Sequence, residues 1–201
     1  FPSNAIHFCL KEIGIDSSQL DYVAFYDKPF LKFERILETF LAFAPKGISS
    51  FLKAMPLWIR KKLWIKELIK DELEYSGKII FPEHHISHAA SAFYASPFQD
   101  AAFLTMDGVG EWSTSSFGKG YDTTIELTND IRWPHSVGLF YSAFTYFLGF
   151  KVNEGEYKLM GLSAYGKPKY YDLICDKLID IKSDGSIHLN MEYFAFTYDK
   201  V

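Results

Sequence analysis

The sequence predicts an α/β fold, and three observations carry that prediction. Ala101 to Met106 is a short, nearly continuous apolar run that reads as a buried strand. It is preceded by Ser87 to Ala95, a helix rich in small residues and suited to close packing on a sheet, and by a further short strand at Lys78 to Phe81. It is followed by two stretches of alternating character, Trp112 to Phe117 and Thr123 to Thr128, in which Ile125 and Leu127 oppose Thr124 and Glu126.

The elements follow in order. Residues 4 to 14 place Ile6, Phe8, Cys9, Leu10 and Ile13 at helical spacing, with Ser3 or Asn4 as N-cap and Gly14 as the stop. Leu20 to Tyr26 reads as a strand with Val23 and Phe25 on one face. Phe30 to Leu73 is predicted as a helical insertion, with apolar spacing before Pro45 and again after Pro56. Seven Lys or Arg residues lie between Lys46 and Lys70 against one acid, Glu67. A helix on a membrane surface would carry the same pattern. The expectation is an insertion docked on the parent domain by Phe33, Leu37, Phe40, Leu57 and Leu63, with Lys61 and Lys62 in solvent. Further on, Ser136 caps an apolar helix from Gly138 to Leu148. Asn153 to Gly166 then reads as a loop and helix closed by a glycine.

The bulk numbers bound the function classes. A chain of 201 residues with 48% hydrophobic and 23% charged residues can bury a core. The net charge of −4 argues against general nucleic-acid binding. No apolar run reaches the length of a membrane span and no signal peptide opens the chain, so no membrane partner is expected. Cys9 and Cys175 form no metal or redox spacing, which fits a reducing, cytoplasmic setting. The first residue is Phe1 rather than Met, and the sequence reads as part of a longer protein.

Histidine is scarce, and three of the six fall at His84, His85 and His88. Two imidazoles four residues apart share one helix face. With Asp107, delivered at the end of the Ala101–Met106 run, they make a two-histidine, one-carboxylate metal face. Capping or pairing with buried carbonyls is the bland alternative. A zinc-protease motif is excluded, because His85 stands where its glutamate must be. His85 itself is expected to support the pair or face a phosphate.

Asp107-Gly108-Val109-Gly110 follows the strand, where its glycines would let open N–H groups approach a phosphate, with Ser113, Thr114 and Ser115 as hydroxyl donors. An ordinary hairpin turn would look alike. Lys158, in the glycine- and charge-rich stretch Asn153 to Gly166, is a candidate cation for an anionic substrate.

Taken together, EHHISHAASAF, MDGVGEWSTS and GEYKLMGLSAYG resemble the N-terminal domain of nodulation-type O-carbamoyltransferases. The likeness extends to the opening FPSNAI, to residues 30–47, to FLKAMPLW and to PHSVGLFYSAFTYFLGFKV. The resemblance implies a ribonuclease H-like, actin-like ATPase fold. It also implies transfer of a carbamoyl group from carbamoyl phosphate, through ATP and a carbamoyl-adenylate, to a hydroxyl-bearing small molecule. His84, His88 and Asp107 would bind a divalent metal, iron or magnesium; His88 and, from its own charge and not from the resemblance, Lys158 are the catalytic candidates. Asp107, Gly108, Val109, Gly110 and Ser113 would bind nucleotide. A homo-oligomer is compatible with the family. Relatives carry a first phosphate loop and a catalytic His upstream of the residue matching Phe1, and a further metal-binding Asp beyond Val201. Residues 1–201 alone are therefore expected to be inactive. A regulatory nucleotide-binding module is the alternative, and a free metallohydrolase a third reading.

Overall fold

A parallel strand pair must be joined by a long crossover, and the chain opens with one. In the computed structural model, which describes residues 1–199, β1 (Tyr22–Ala24) pairs with β2 (Lys78–Ile80) in parallel. Lys200 and Val201, the end of the expected domain, lie outside the described residues. The crossover is wholly helical: α2 (Pro29–Phe43), α3 (Ile48–Arg60) and α4 (Ile65–Leu73). Before β1 lies α1 (Ser3–Ile13), closed by Gly14 at φ 76°, a left-handed conformation that glycine adopts at little cost. Neither expected N-cap caps it. Pro2 occupies that position, and the Ser3 hydroxyl donates instead to Glu72 of α4.

The first core lies beside this pair. Ile69, Leu73 and Tyr75 are buried against Ile6, Leu20, Val23, Phe25, Ile65 and Ile79. The Tyr75 hydroxyl stands within hydrogen-bond reach of the Leu20, Asp21 and Lys78 carbonyls, so an aromatic ring in this core keeps its polar tip satisfied.

The crossover docks differently from the expectation. Phe40 stacks on Phe51 at 3.9 Å and Phe33 meets Trp58 at 6.1 Å, so these rings join α2 to α3. Leu37 and Leu57 are exposed, at 37% and 48%, because the helix pair spends its apolar stripe on itself. Contacts of α2, α3 and the loop between them with the rest of the chain include Arg35 over Trp133, Phe43 beside Tyr198, and Gly47 against the Tyr198 backbone, while α4 packs into the first core. Lys61 and Lys62 are exposed, as the pattern requires. Pro45 follows the end of α2, whereas Pro56 lies inside α3.

The second half is built on an antiparallel meander of β3 (Asp100–Met106), β4 (Ser113–Tyr121) and β5 (Thr124–Arg132), in that order across the sheet. α5 (His84–Phe93) packs on it through Ala89 and Phe93. Gly120 of β4 makes this possible, since a Cβ there would sit 2.7 Å from the Phe93 ring. α6 (Val137–Phe147) starts at the Ser136 cap, whose hydroxyl accepts from the Leu139 N–H at 3.0 Å.

The remaining elements are α7 (Glu156–Ser163), α8 (Tyr171–Lys177) and the hairpin β6 (Ile179–Ile181) with β7 (Ile187–Leu189). The stretch after Gly166 carried no sequence-based assignment. It supplies most of the second core, in which Ile179, Ile187, Leu189 and Phe194 pack on Val137 and Phe140 of α6 and Ile131 of β5. The architecture is mixed α/β with three small sheets. Among the described residues no helix is long and apolar enough to cross a membrane.

Candidate functional site

The first turn of a helix leaves N–H groups without partners, and at α5 a carboxylate from another element answers one of them. Glu111, only 7% exposed, accepts from the His84 N–H (3.0 Å to Oε2) and from the Lys28 N–H (2.8 Å to Oε1). This single side chain fixes the start of α5 against both β3's loop and the entry to α2. A negative charge at that end also suits the helix dipole.

One turn of α5 then brings His84 and His88 together, and β3 delivers Asp107. His84 Nε2 lies 2.5 Å from Asp107 Oδ2 and 3.0 Å from His88 Nε2, and His88 Nε2 lies 3.6 Å from Asp107 Oδ2. Two metal–ligand bonds of about 2 Å span up to roughly 4 Å, so these three atoms are spaced to share one ion. The donor set, two imidazoles and one carboxylate, suits zinc, iron or a comparable divalent metal. Among the described residues no other group of three His, Cys, Asp or Glu side chains converges in this way.

The electrostatics favour an ionised carboxylate at Asp107. The hydrogen bond from His84 holds the Asp107 carboxyl well below the usual carboxylate range, helped by the Gly108 N–H and the charges of both histidines and opposed by burial. His85 is buried and pushed down by desolvation, so it stays neutral near pH 7. Its Nδ1 meets Ser116 Oγ at 2.5 Å and Thr105 Oγ1 at 2.8 Å. His85 is therefore pinned to β3 and β4 and faces the sheet, which fits the supporting role and not the phosphate-facing one. Nothing among the described residues pairs with His84 Nδ1 or His85 Nε2, both buried.

The loop 107–112 connects antiparallel strands, but its glycines do different work from that expected. The Gly108 N–H donates to the Asp107 carboxylate (2.6 Å) and the Gly110 N–H to the Ser113 carbonyl (2.9 Å), so neither is open. The loop closes on itself, and the Val109 N–H is the one of the three without a partner among the described residues. Gly110 is small because a Cβ would come within 3.1 Å of His84 and His85. Gly108 is not demanded by packing, since its nearest neighbour would be Leu139 at 3.7 Å.

The hydroxyls also turn inward. Ser113 donates to Asp130 (2.7 Å), Thr114 to the carbonyls of Ile131 and His135, and Ser115 Oγ is buried without a partner among the described residues. Lys158 is exposed on α7, its Nζ 5.8 Å from the centre of the Tyr157 ring, and no contact joins it to His84, His88 or Asp107.

Two features escaped the sequence. Glu111 closes the DGVGE run, yet nothing in its neighbourhood announces a buried carboxylate aimed at a distant helix. The second is the clasp of α6 on the loop. Ser136 Oγ lies 3.1 Å and 2.7 Å from the Asp107 and Gly108 carbonyls, and a Cβ at Gly138 would fall 2.4 Å from Asp107 O. Its only trace is a cap-and-glycine pair, Ser136 and Gly138, which sequence reads as a helix start.

The comparisons with known proteins agree in direction. The family model described as carbamoyltransferase N-terminus matches residues 1–200. An uncharacterized protein of Synechocystis sp. is 53% identical over 98% of this chain and 33% of its own length. The nodulation protein NolNO of Sinorhizobium fredii is 28% identical over 95% of this chain and 27% of its own. The nodulation protein NolO of Bradyrhizobium diazoefficiens is 30% identical over 54% of this chain and 20% of its own. The chain thus spans a third or less of the length of these relatives.

Proposed function

The chain belongs to the carbamoyltransferase N-terminal family, and on that premise we propose that it supplies the metal and nucleotide face of an ATP-dependent O-carbamoyltransferase. The observation that carries the reading is the meeting of His84, His88 and Asp107 at the end of β3, beside a glycine loop. A core does not require two imidazoles and a carboxylate to converge. In this reading the parent domain has a ribonuclease H-like, actin-like ATPase fold.

ATP and carbamoyl phosphate are polyanions, so a site that joins them needs positive charge and fixed donors where negative charge accumulates. A divalent metal, iron or magnesium, would neutralise and orient phosphate oxygens when bound. The chain's own residues do the rest. Asp107, held ionised, and His84 and His88, offering Nε2, form the metal-binding face. Gly108 leaves room for a phosphate to approach the backbone, and the Val109 N–H is the donor available there. Lys158 would add a cation only if α7 and the site face the same substrate.

Carbamoyl phosphate loses phosphate to water to give carbamate. A carbamate oxygen then attacks the α-phosphorus of ATP, and the bond to pyrophosphate breaks. The acceptor hydroxyl attacks the carbamoyl carbon, loses its proton and expels AMP. The intact protein should release pyrophosphate from ATP only when carbamoyl phosphate is present. His88→Ala and Asp107→Ala should each lower that release at least a hundredfold. Release indifferent to carbamoyl phosphate would favour the regulatory nucleotide-binding alternative.

A further inference from the structure

Away from the triad, a cleft of about 250 Å³ lies between α2, α3 and residues 196–199. Its walls are flat and apolar. Phe40 stacks on Phe51 at 3.9 Å, and Trp133 meets Phe196 at 5.6 Å. Two cations line it. The Arg35 guanidinium lies 5.1 Å from the centre of the Trp133 ring, and Lys46 Nζ lies 4.9 Å from that of Tyr198. Asp199 also contributes to the lining.

Arg35 is the unusual member. Among the described residues its Nε–H is buried with no hydrogen-bond acceptor, and the side chain enters no ion pair. A buried donor without an acceptor is unfavourable, and an anion entering the cleft would supply one. Burial pushes the guanidinium down to about 10, against the opposing charge of Glu111, and it remains a cation at neutral pH. A guanidinium with its face on an aromatic ring still presents its edge, the fork that matches two oxygens of a carboxylate or phosphate.

We propose that this cleft binds a small organic oxyanion, a carboxylate or phosphate carried on a flat apolar body. The oxyanion meets the Arg35 edge and Lys46, and the body lies between the rings. The site stands apart from the carbamoyl-transfer reading and does not depend on it. Pockets of this kind combine apolar walls with a few placed polar groups, and 250 Å³ suits one ring with one charged group.

The test is calorimetric titration of the intact protein with phenyl phosphate, benzoate and phenol. Phenyl phosphate or benzoate should bind at least tenfold more tightly than phenol, and which of the two binds better names the oxyanion. Arg35→Met should weaken that binding at least tenfold, while His88→Ala leaves it unchanged. If Arg35→Met fails to fold, Lys46→Met, at an exposed position, should still weaken it about threefold. Equal affinity for phenol, or unchanged binding in both cation variants, would overturn the proposal. So would a loss that follows His88→Ala instead, which would place the anion at the triad.

Discussion

The two ends of α6 live under opposite conditions. At its start, Ser136 and Gly138 are pressed onto the Asp107–Gly108 peptide, inside a web of contacts that also holds α5, β3 and β4. At its other end and beyond, Phe147 is 81% exposed and Tyr165 is 90% exposed, and α7 buries no residue. Both regions are rich in glycine and aromatic residues. In the first, Gly110, Gly120 and Gly138 each remove a collision and Phe93 fills a seat, so the chain itself sets the positions of the site atoms. In the second, the same residue types meet solvent, and composition alone tells nothing about packing.

Removing one ring from each region should have very different effects. Phe93, 5% exposed and seated on Gly120, should cost about 3–5 kcal/mol on truncation to Ala. Phe147→Ala should stay within about 0.5 kcal/mol. Chemical denaturation of both variants checks the pair, and similar losses would mean that the exposed end is packed after all.

A smaller effect separates two helical glycines. Gly138→Ala drives a Cβ to 2.4 Å from the Asp107 carbonyl, an overpacking cost of about 1–3 kcal/mol, and it should also weaken divalent-metal binding measured by titration. Gly161, inside α7, has no atom of the described residues beyond its own helix backbone within 4 Å of an added Cβ, so Gly161→Ala should stabilise by about 0.5–1 kcal/mol.

The smallest effect is one of pH, away from the triad. His135 Nδ1 accepts from the Leu189 N–H at 3.1 Å, and burial, with the charge of His188, lowers its affinity for protons in the folded state. A histidine whose folded pKa is depressed binds protons more readily when unfolded. Stability is therefore full above the unfolded value of about 6.5 and falls as pH drops from there toward the folded value. Melting temperature should decline between pH 7.5 and 5.5, and less steeply in His135→Asn. Parallel slopes would exclude this linkage.

How far the sequence reached depends on the range of the forces involved. Local patterns placed β1 to β5 within a few residues, because a β-strand declares itself by period two, and a glycine at φ 76° stops α1 where expected; the short β6 and β7 carried no such pattern. The His84, His88 and Asp107 grouping was readable, since helical spacing fixes the pair and the strand end fixes the acid. The faces used by the crossover helices were not readable. Leu37 and Leu57 have the same periodicity whether the stripe meets the domain or a sister helix, and α2 and α3 chose each other. Loop hydrogen bonding was equally hidden, because an Asp-Gly-Val-Gly string does not say whether its N–H groups face outward or, as at Gly108 and Gly110, inward. The expected Ser3 cap failed for a related reason, since Glu72, far along the chain, offered its hydroxyl a carboxylate.

The clasp between α6 and the loop has a mechanical consequence. A helix of eleven residues is a stiff rod of about 16 Å, and this one is clasped at Asp107, seated on the second core through Phe140 and Ala143, and bare at its tip. A push on Phe147 or Tyr146 would pivot the rod on its core contacts and reach Ser136 as a tilt. There the hydroxyl holds two carbonyls, and the carboxylate of Asp107 hangs from the first of them. Whatever leans on the far end of α6 has a handle on the oxygen that faces His84 and His88.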